Sequence, residues 1–119
     1  GSGGSIIHMT SQMGRVGGPN RSVYCATKWG LEGLVRASAI ELAPHRIRVN
    51  AVAPTFVDTP LTKPFFEDKA FSDWVFDRLP LGRLATVAEV AGAVVYLASP
   101  AAASVTGTSL AVDGGWTAQ

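Results

Sequence analysis

Cysteine is almost absent: Cys25 is the only one in 119 residues. A lone cysteine excludes an internal disulfide and fits a reducing, cytoplasmic setting. Long apolar runs are missing too, and nothing approaches the roughly 18 residues that suggest a membrane span. No basic segment followed by an apolar core opens the sequence, so no signal peptide is expected. Charge is scarce, at 16% of residues, and nearly balanced at +1. Without a basic stripe there is no electrostatic footprint for nucleic acid. His8 and His45 have no other ligand types at metal-binding spacing, so no metal site is expected. What is plentiful is apolar: 47% of residues are hydrophobic. That suits one soluble globular unit burying about two-thirds of its extended surface.

The apolar residues fall into periodic segments. Ser5 to Met9 reads as a short buried strand bounded by glycine. Thr10 to Gly14 gives it a polar end, and Gly14, Gly17, Gly18 and Pro19 mark a loop of about seven residues. A helix is predicted from about Ser22 to Leu42, stopping at Pro44, with Leu31, Leu34, Val35, Ser38, Ala39 and Leu42 as its core stripe. Ile47 to Val52 reads as a second strand, ending at Pro54. Thr86-Val87-Ala88-Glu89 has the form of a capping box. The helix it opens carries Val87, Val90, Ala91, Val94, Val95 and Ala98. A third strand, Ser109 to Val112, ends at Asp113-Gly114-Gly115. Near-continuous apolar strands joined by helices predict an α/β fold with three parallel strands and right-handed crossover helices. Residues 1–119 form a single domain on this reading.

Tyr24 and Lys28 lie four apart, on the same side of the first helix as its core stripe. Burying two polar heads without partners is costly, so their placement needs a reason. The bland reading is a packed ring and a lysine that snorkels to solvent. The chemical reading is an acid/base pair: a free tyrosine titrates near 10, and a neighbouring cation favours its phenolate. Such a phenol passes a proton to or from a substrate oxygen. Ligands of open parallel sheets sit beyond the carboxyl ends of the strands. Ser11 closes the first strand, Pro54 to Thr59 follow the second, and Tyr24 opens the helix starting from that rim. Three separate stretches converge there, which favours the chemical reading.

Ser11, followed 13 residues later by Tyr24 and then by Lys28, resembles the active-site pattern of the short-chain dehydrogenase/reductase family. The likeness runs through most of the chain. Gly4-Ser5-Ile6-Ile7, Ile47 through Pro54, Leu81-Gly82-Arg83-Leu84 with Glu89-Val90-Ala91, Val105-Thr106-Gly107 and Val112-Asp113-Gly114-Gly115 are similar to successive family segments. The resemblance implies the C-terminal half of a Rossmann-like doubly wound sheet. It implies hydride transfer between NAD or NADP and a carbonyl/alcohol pair. Tyr24 would be the general acid/base. Lys28 would tune it and bond the nicotinamide ribose, and Ser11 would hold the substrate oxygen. Pro54, Val57 and Thr59 would contact the nicotinamide end. Two positions depart from the pattern, because Thr55 and Arg46 stand where the family usually has glycine.

The family's opening glycine-rich phosphate turn has no counterpart. Gly1-Ser2-Gly3-Gly4 precedes a strand instead of following one. The partial domain therefore lacks the dinucleotide-binding half. It is expected to bind NAD(P) weakly and to be inactive alone, with a bare edge on its first strand.

Ala26, Trp29, Gly30, Gly33, Ala37 and Ile40 lie opposite the first helix's core stripe and are small or apolar. They suggest a subunit interface, as a homodimer or homotetramer through the 22–42 helix. All five phenylalanines lie between Phe56 and Phe76, and residues 60–80 resemble the family's substrate lid. Their rings either cover an apolar ligand or merely hold the lid in place. Lys63, Glu67, Asp68 and Lys69 read as a solvated face. Two functions remain: an oxidoreductase half, favoured by Ser11, Tyr24 and Lys28 together, or a truncated, non-catalytic association module. Sugars, 3-oxoacyl thioesters and other secondary alcohols are all open as substrates.

Overall fold

A computed structural model describes residues 3–14 and 21–118. The predicted loop glycines Gly17 and Gly18, with Pro19, lie outside the described residues, as do Gly1 and Ser2.

Three parallel strands form the sheet in the order β1 (Gly4–Met9), β2 (Ile47–Pro54), β3 (Ser109–Val112). Gly4 to Met9 run in register with Ile47 to Val52, and Ala51 to Pro54 with Ser109 to Val112. β2 is central. Val49, Ala51, Val52 and Ala53 are all buried, matching the unbroken apolar run of a strand covered on both faces. Buried Asn50 is satisfied: its Nδ2 donates to Val105 O at 2.8 Å and its Oδ1 accepts from Thr108 N at 3.1 Å. A polar side chain in the middle of the sheet thus anchors the turn that launches β3.

The first helix, α1 (Ser22–Leu42), keeps its expected bounds. Its stripe is rotated from the expected one. Glu32, Val35 and Ala39 are buried, whereas Leu34 is 51% exposed. The apolar pattern could not reveal this, because a carboxylate occupies the buried row. Ala43–His45 tighten the chain end, and Arg46 then turns it with φ 60°. Arg46 holds the left-handed conformation that glycine would adopt freely, at a cost of about 1 kcal/mol. Gly3 explains the crowding beside it: a Cβ there would sit 2.4 Å from Arg46 O.

A short helix, α2 (Lys69–Phe76), was not legible in the apolar pattern. Asp68, expected only to be solvated, caps it by accepting from Ala70 N and Phe71 N. In α3 (Val87–Ala98) the predicted capping box is present, with Thr86 and Glu89 exchanging bonds of 2.9 and 3.1 Å. Only part of its expected stripe is covered. Val90 and Val94 are half-buried, but Val87 and Val95 are exposed, and the fully buried residue is Leu97, outside that stripe.

α1 packs on the sheet face carrying Val49 and Ala51. Ser5, whose register partner is Arg48, bonds Leu97 O of α3 on the other face at 3.2 Å. Helices on opposite faces of strands that step the same way give the two crossovers opposite hands. The expectation of two right-handed crossovers therefore holds for one connection only. The second connection is long and carries α2 as well as α3, so it is not a simple strand–helix–strand unit.

The outer edge of β1 has no partner strand among the described residues, and Ile6 and Met9 are exposed along it. The small or apolar side of α1 is likewise exposed, and a Cβ added at Gly30 or Gly33 would meet nothing within 4 Å. Among the described residues no helix is long and apolar enough to cross a membrane.

Candidate active site

The carboxyl ends of β1 and β2 open into a cavity of about 390 Å³. Ser11 and Tyr24 line it together with Pro54, Thr55, Phe56 and Phe65. Strand ends and a helix start are therefore brought to one rim, as the order of elements requires.

Ser11 is held in a tight turn, Gln12–Gly14, just past β1. Its Oγ accepts from Met13 N at 3.1 Å and donates to Gln12 Oε1 at 2.9 Å. Gly14 lets this turn touch α1, since a Cβ there would lie 3.0 Å from both Lys28 O and Glu32 Cγ. Tyr24, in the first turn of α1, is 43% exposed, so its ring faces the cavity and not the packed core. Lys28 sits one turn deeper, with Nζ 3.4 Å from Met9 O and 5.5 Å from the Tyr24 ring centroid.

Pro54 stands in the cavity wall, whereas Val57 and Thr59 do not line it. Val57 bridges to Ala85, and its carbonyl accepts from Thr62 Oγ1 at 2.6 Å. Thr59 N and Thr59 Oγ1 are both 3.2 Å from Thr62 Oγ1. Thr62 itself lines the cavity. Sequence reasoning missed it because a threonine three residues from another carries no distinctive signal. Arg46 is the only described residue other than glycine with positive φ. Thr55 therefore needs no glycine-like backbone, and its buried Oγ1 has no hydrogen-bond partner. An unpaired buried hydroxyl costs about 1–3 kcal/mol until a ligand or water satisfies it.

The expected lid divides in two. Leu61, Thr62 and Phe65 line the cavity. Phe66, Phe71 and Trp74 instead pack with Phe56 against Val75, Leu79 and Trp116. Edge-on ring pairs, such as Phe56–Phe66 at 5.8 Å and Trp74–Trp116 at 5.4 Å, fasten the segment to the end of the chain. Arg83 and Glu89 form a two-bonded ion pair at 2.8 and 2.9 Å at the foot of α3. The Arg83 guanidinium, with help from Thr86 N–H, holds the Glu89 carboxyl down at about 2.

A family model described as Enoyl-(Acyl carrier protein) reductase matches residues 1–117. Bovine L-xylulose reductase is 42% identical over 118 residues, which are 99% of this chain and 48% of that protein. The solved gluconate 5-dehydrogenase of Burkholderia cenocepacia, in complex with NADP and tartrate, superposes with a TM-score of 0.93 at 36% identity, covering 99% of this chain and 46% of that one. A 4-hydroxyisoleucine dehydrogenase complexed with NADH gives a TM-score of 0.91 at 32% identity, with 97% and 47% covered. The chain thus spans about half the length of the curated relatives it matches. By sequence match and by superposition, it belongs to the short-chain dehydrogenase/reductase family.

Proposed function

We propose that this chain is the catalytic half of an NAD(P)-dependent oxidoreductase that interconverts a carbonyl and a secondary alcohol. One observation carries the reading: Ser11 and Tyr24, from separate elements, line one cavity at the strand ends, with Lys28 a turn below. Relatives solved with NADP and with NADH support either cofactor.

The cavity fits a nicotinamide end in two respects. Pro54 and Phe56 offer apolar wall, and Thr55 Oγ1 is a buried hydroxyl with its bonding capacity unspent. NAD(P), when bound, supplies or accepts the hydride. The chain's own residues handle the proton. In reduction, the Tyr24 phenol donates to the substrate oxygen as that oxygen gains charge, and in oxidation it takes the proton back. The Lys28 ammonium stabilises the negative charge left on the phenolic oxygen. Ser11 steadies the same substrate oxygen by turning its proton from Gln12 Oε1 into the cavity, a donor aimed at developing charge. Pro54 would contact the nicotinamide end, with Val57 and Thr59 steadying that wall through Thr62. Leu61, Thr62 and Phe65 form the substrate side of a lid over residues 60–80.

The exposed Ala26, Trp29, Gly33 and Ile40 side of α1 supports association of copies through this helix. The test is Tyr24→Phe in the whole protein that carries this sequence. Turnover should vanish while the assembly stays intact. Persistent turnover would overturn the acid/base assignment, whereas a lack of turnover in the unaltered whole protein would favour the association module.

A further inference from the structure

Glu32 was no candidate from sequence, yet it is buried and bonded to three other residues of the chain. It is 3% exposed, in the middle of the buried row of α1. Its Oε1 accepts from Thr10 Oγ1 at 2.7 Å and from Ser109 Oγ at 2.8 Å. Its Oε2 lies 3.4 Å from Arg36 Nη1, which also donates to Glu32 O at 2.9 Å. One carboxylate therefore joins the end of β1, the start of β3 and the middle of α1. Carboxylate acceptors make strong, directional bonds, so this junction fixes distance as well as contact.

The junction is aligned with the chemistry. Tyr24, Lys28 and Glu32 are spaced i, i+4 and i+8, a single row along α1. The facing chain end supplies Met9, Thr10 and Ser11 in succession. Lys28 Nζ reaches Met9 O, Glu32 holds Thr10, and the next residue, Ser11, enters the cavity beside Tyr24. Gly14 leaves room for the turn after Ser11 to lie directly on Lys28 and Glu32. Ser11 and Tyr24 belong to different elements and act on one substrate oxygen, so their separation must be held by something other than themselves. A displacement of about 1 Å at such a site can cost up to a hundredfold in rate.

We infer that Glu32 is a positioning residue for the proton-transfer site, holding the Ser11 end of β1 in register with the Tyr24–Lys28 row through Thr10. The inference rests on the proposed oxidoreductase reading. A purely structural carboxylate would make its two hydroxyl partners equivalent. A positioning role makes them unequal, because Thr10 adjoins Ser11 and Ser109 does not.

The test uses steady-state kinetics of the whole protein, assayed well below each variant's melting temperature. Glu32→Ala should lower kcat about tenfold with both KM values little changed. Glu32→Gln retains an oxygen acceptor and should recover most of that loss. Thr10→Val should reproduce a large part of the kcat loss, and Ser109→Ala should lower the melting temperature while keeping more than half of kcat. Should Glu32→Ala not fold, the Thr10→Val and Ser109→Ala pair decides alone. Equal kcat effects of that pair, or full kcat in Thr10→Val, would overturn the inference. Tyr24→Phe run alongside separates the two failures. An inactive Tyr24→Phe with normal Thr10→Val sinks only the positioning role, whereas an active Tyr24→Phe sinks the Tyr24 acid/base assignment on which that role depends.

Discussion

Between the sheet and α1, Val35 and Ala39 meet Val49 and Ala51 in a small aliphatic contact. Beyond the strand ends, Val75, Leu79 and Trp116 gather Phe56, Phe66, Phe71 and Trp74 into an aromatic one. The first is made by neighbouring elements, a helix and the strand it leads into. The second joins residue 56 to residue 116, across most of the second connection. The aliphatic contact keeps α1, and so Tyr24 and Lys28, seated on the sheet. The aromatic one pins the segment that brings Leu61 and Phe65 over the cavity. The cavity takes Tyr24 from the helix that the aliphatic contact seats, and Phe56 from the aromatic cluster.

Mutations can separate these duties. Tyr24→Phe touches neither cluster and should have the largest effect. Turnover should fall by at least the 10²–10⁴-fold typical of a lost acid/base, with an unchanged melting curve. Trp116→Ala empties the aromatic cluster and should cost about 3–5 kcal/mol in denaturant melts. It should also raise the substrate KM, because the proposed lid over residues 60–80 loses its anchor. Val35→Ala thins the aliphatic cluster and should cost about 2 kcal/mol with KM unchanged. If both cluster variants moved KM alike, the division of labour would be wrong.

Gly33→Glu lies on the exposed side of α1, away from both clusters, so it should split the proposed assembly in sedimentation while each chain stays folded. The smallest effect is expected at the foot of α3. Glu89 drops from its ordinary 4.5 to about 2, chiefly through the Arg83 hydrogen bond. A carboxylate with a lowered folded value stabilises above its unfolded value and stops doing so as the acid falls through the folded one. The stability difference between wild type and Glu89→Gln should thus be full above about pH 4.5 and fade toward pH 2. Melts across that range would show it. The pair is exposed, so the difference should be small and salt-sensitive.

The α/β class, three strands, both long helices and the Thr86–Glu89 capping box could be read directly from the chain. Each rests on local periodicity or a cap, whose partners lie within a few residues. The convergence of Ser11, Tyr24 and Lys28 on one rim was readable because a Tyr and a Lys one turn apart share a helix face, and a strand end has a fixed rim. α2 escaped because its eight residues are too few for a periodic stripe and its cap, Asp68, looked like surface charge. The exposed Leu34, the buried Glu32 and the opposite hands of the crossovers escaped for another reason. A helix's own pattern does not say which partners its faces will meet.

Sequence by itself thus determined which long elements form and which residues could carry proton chemistry, since both follow from short-range spacing and side-chain type. Tertiary structure decided the remainder. It turned Tyr24 into a cavity and away from the core, set Thr62 in the wall and bonded it to Val57 and Thr59, and left Thr55 Oγ1 without a partner. It also placed Glu32 between Thr10 and Ser109. These outcomes depend on residues up to 77 positions apart, and only the packed sheet brings such residues within hydrogen-bond reach.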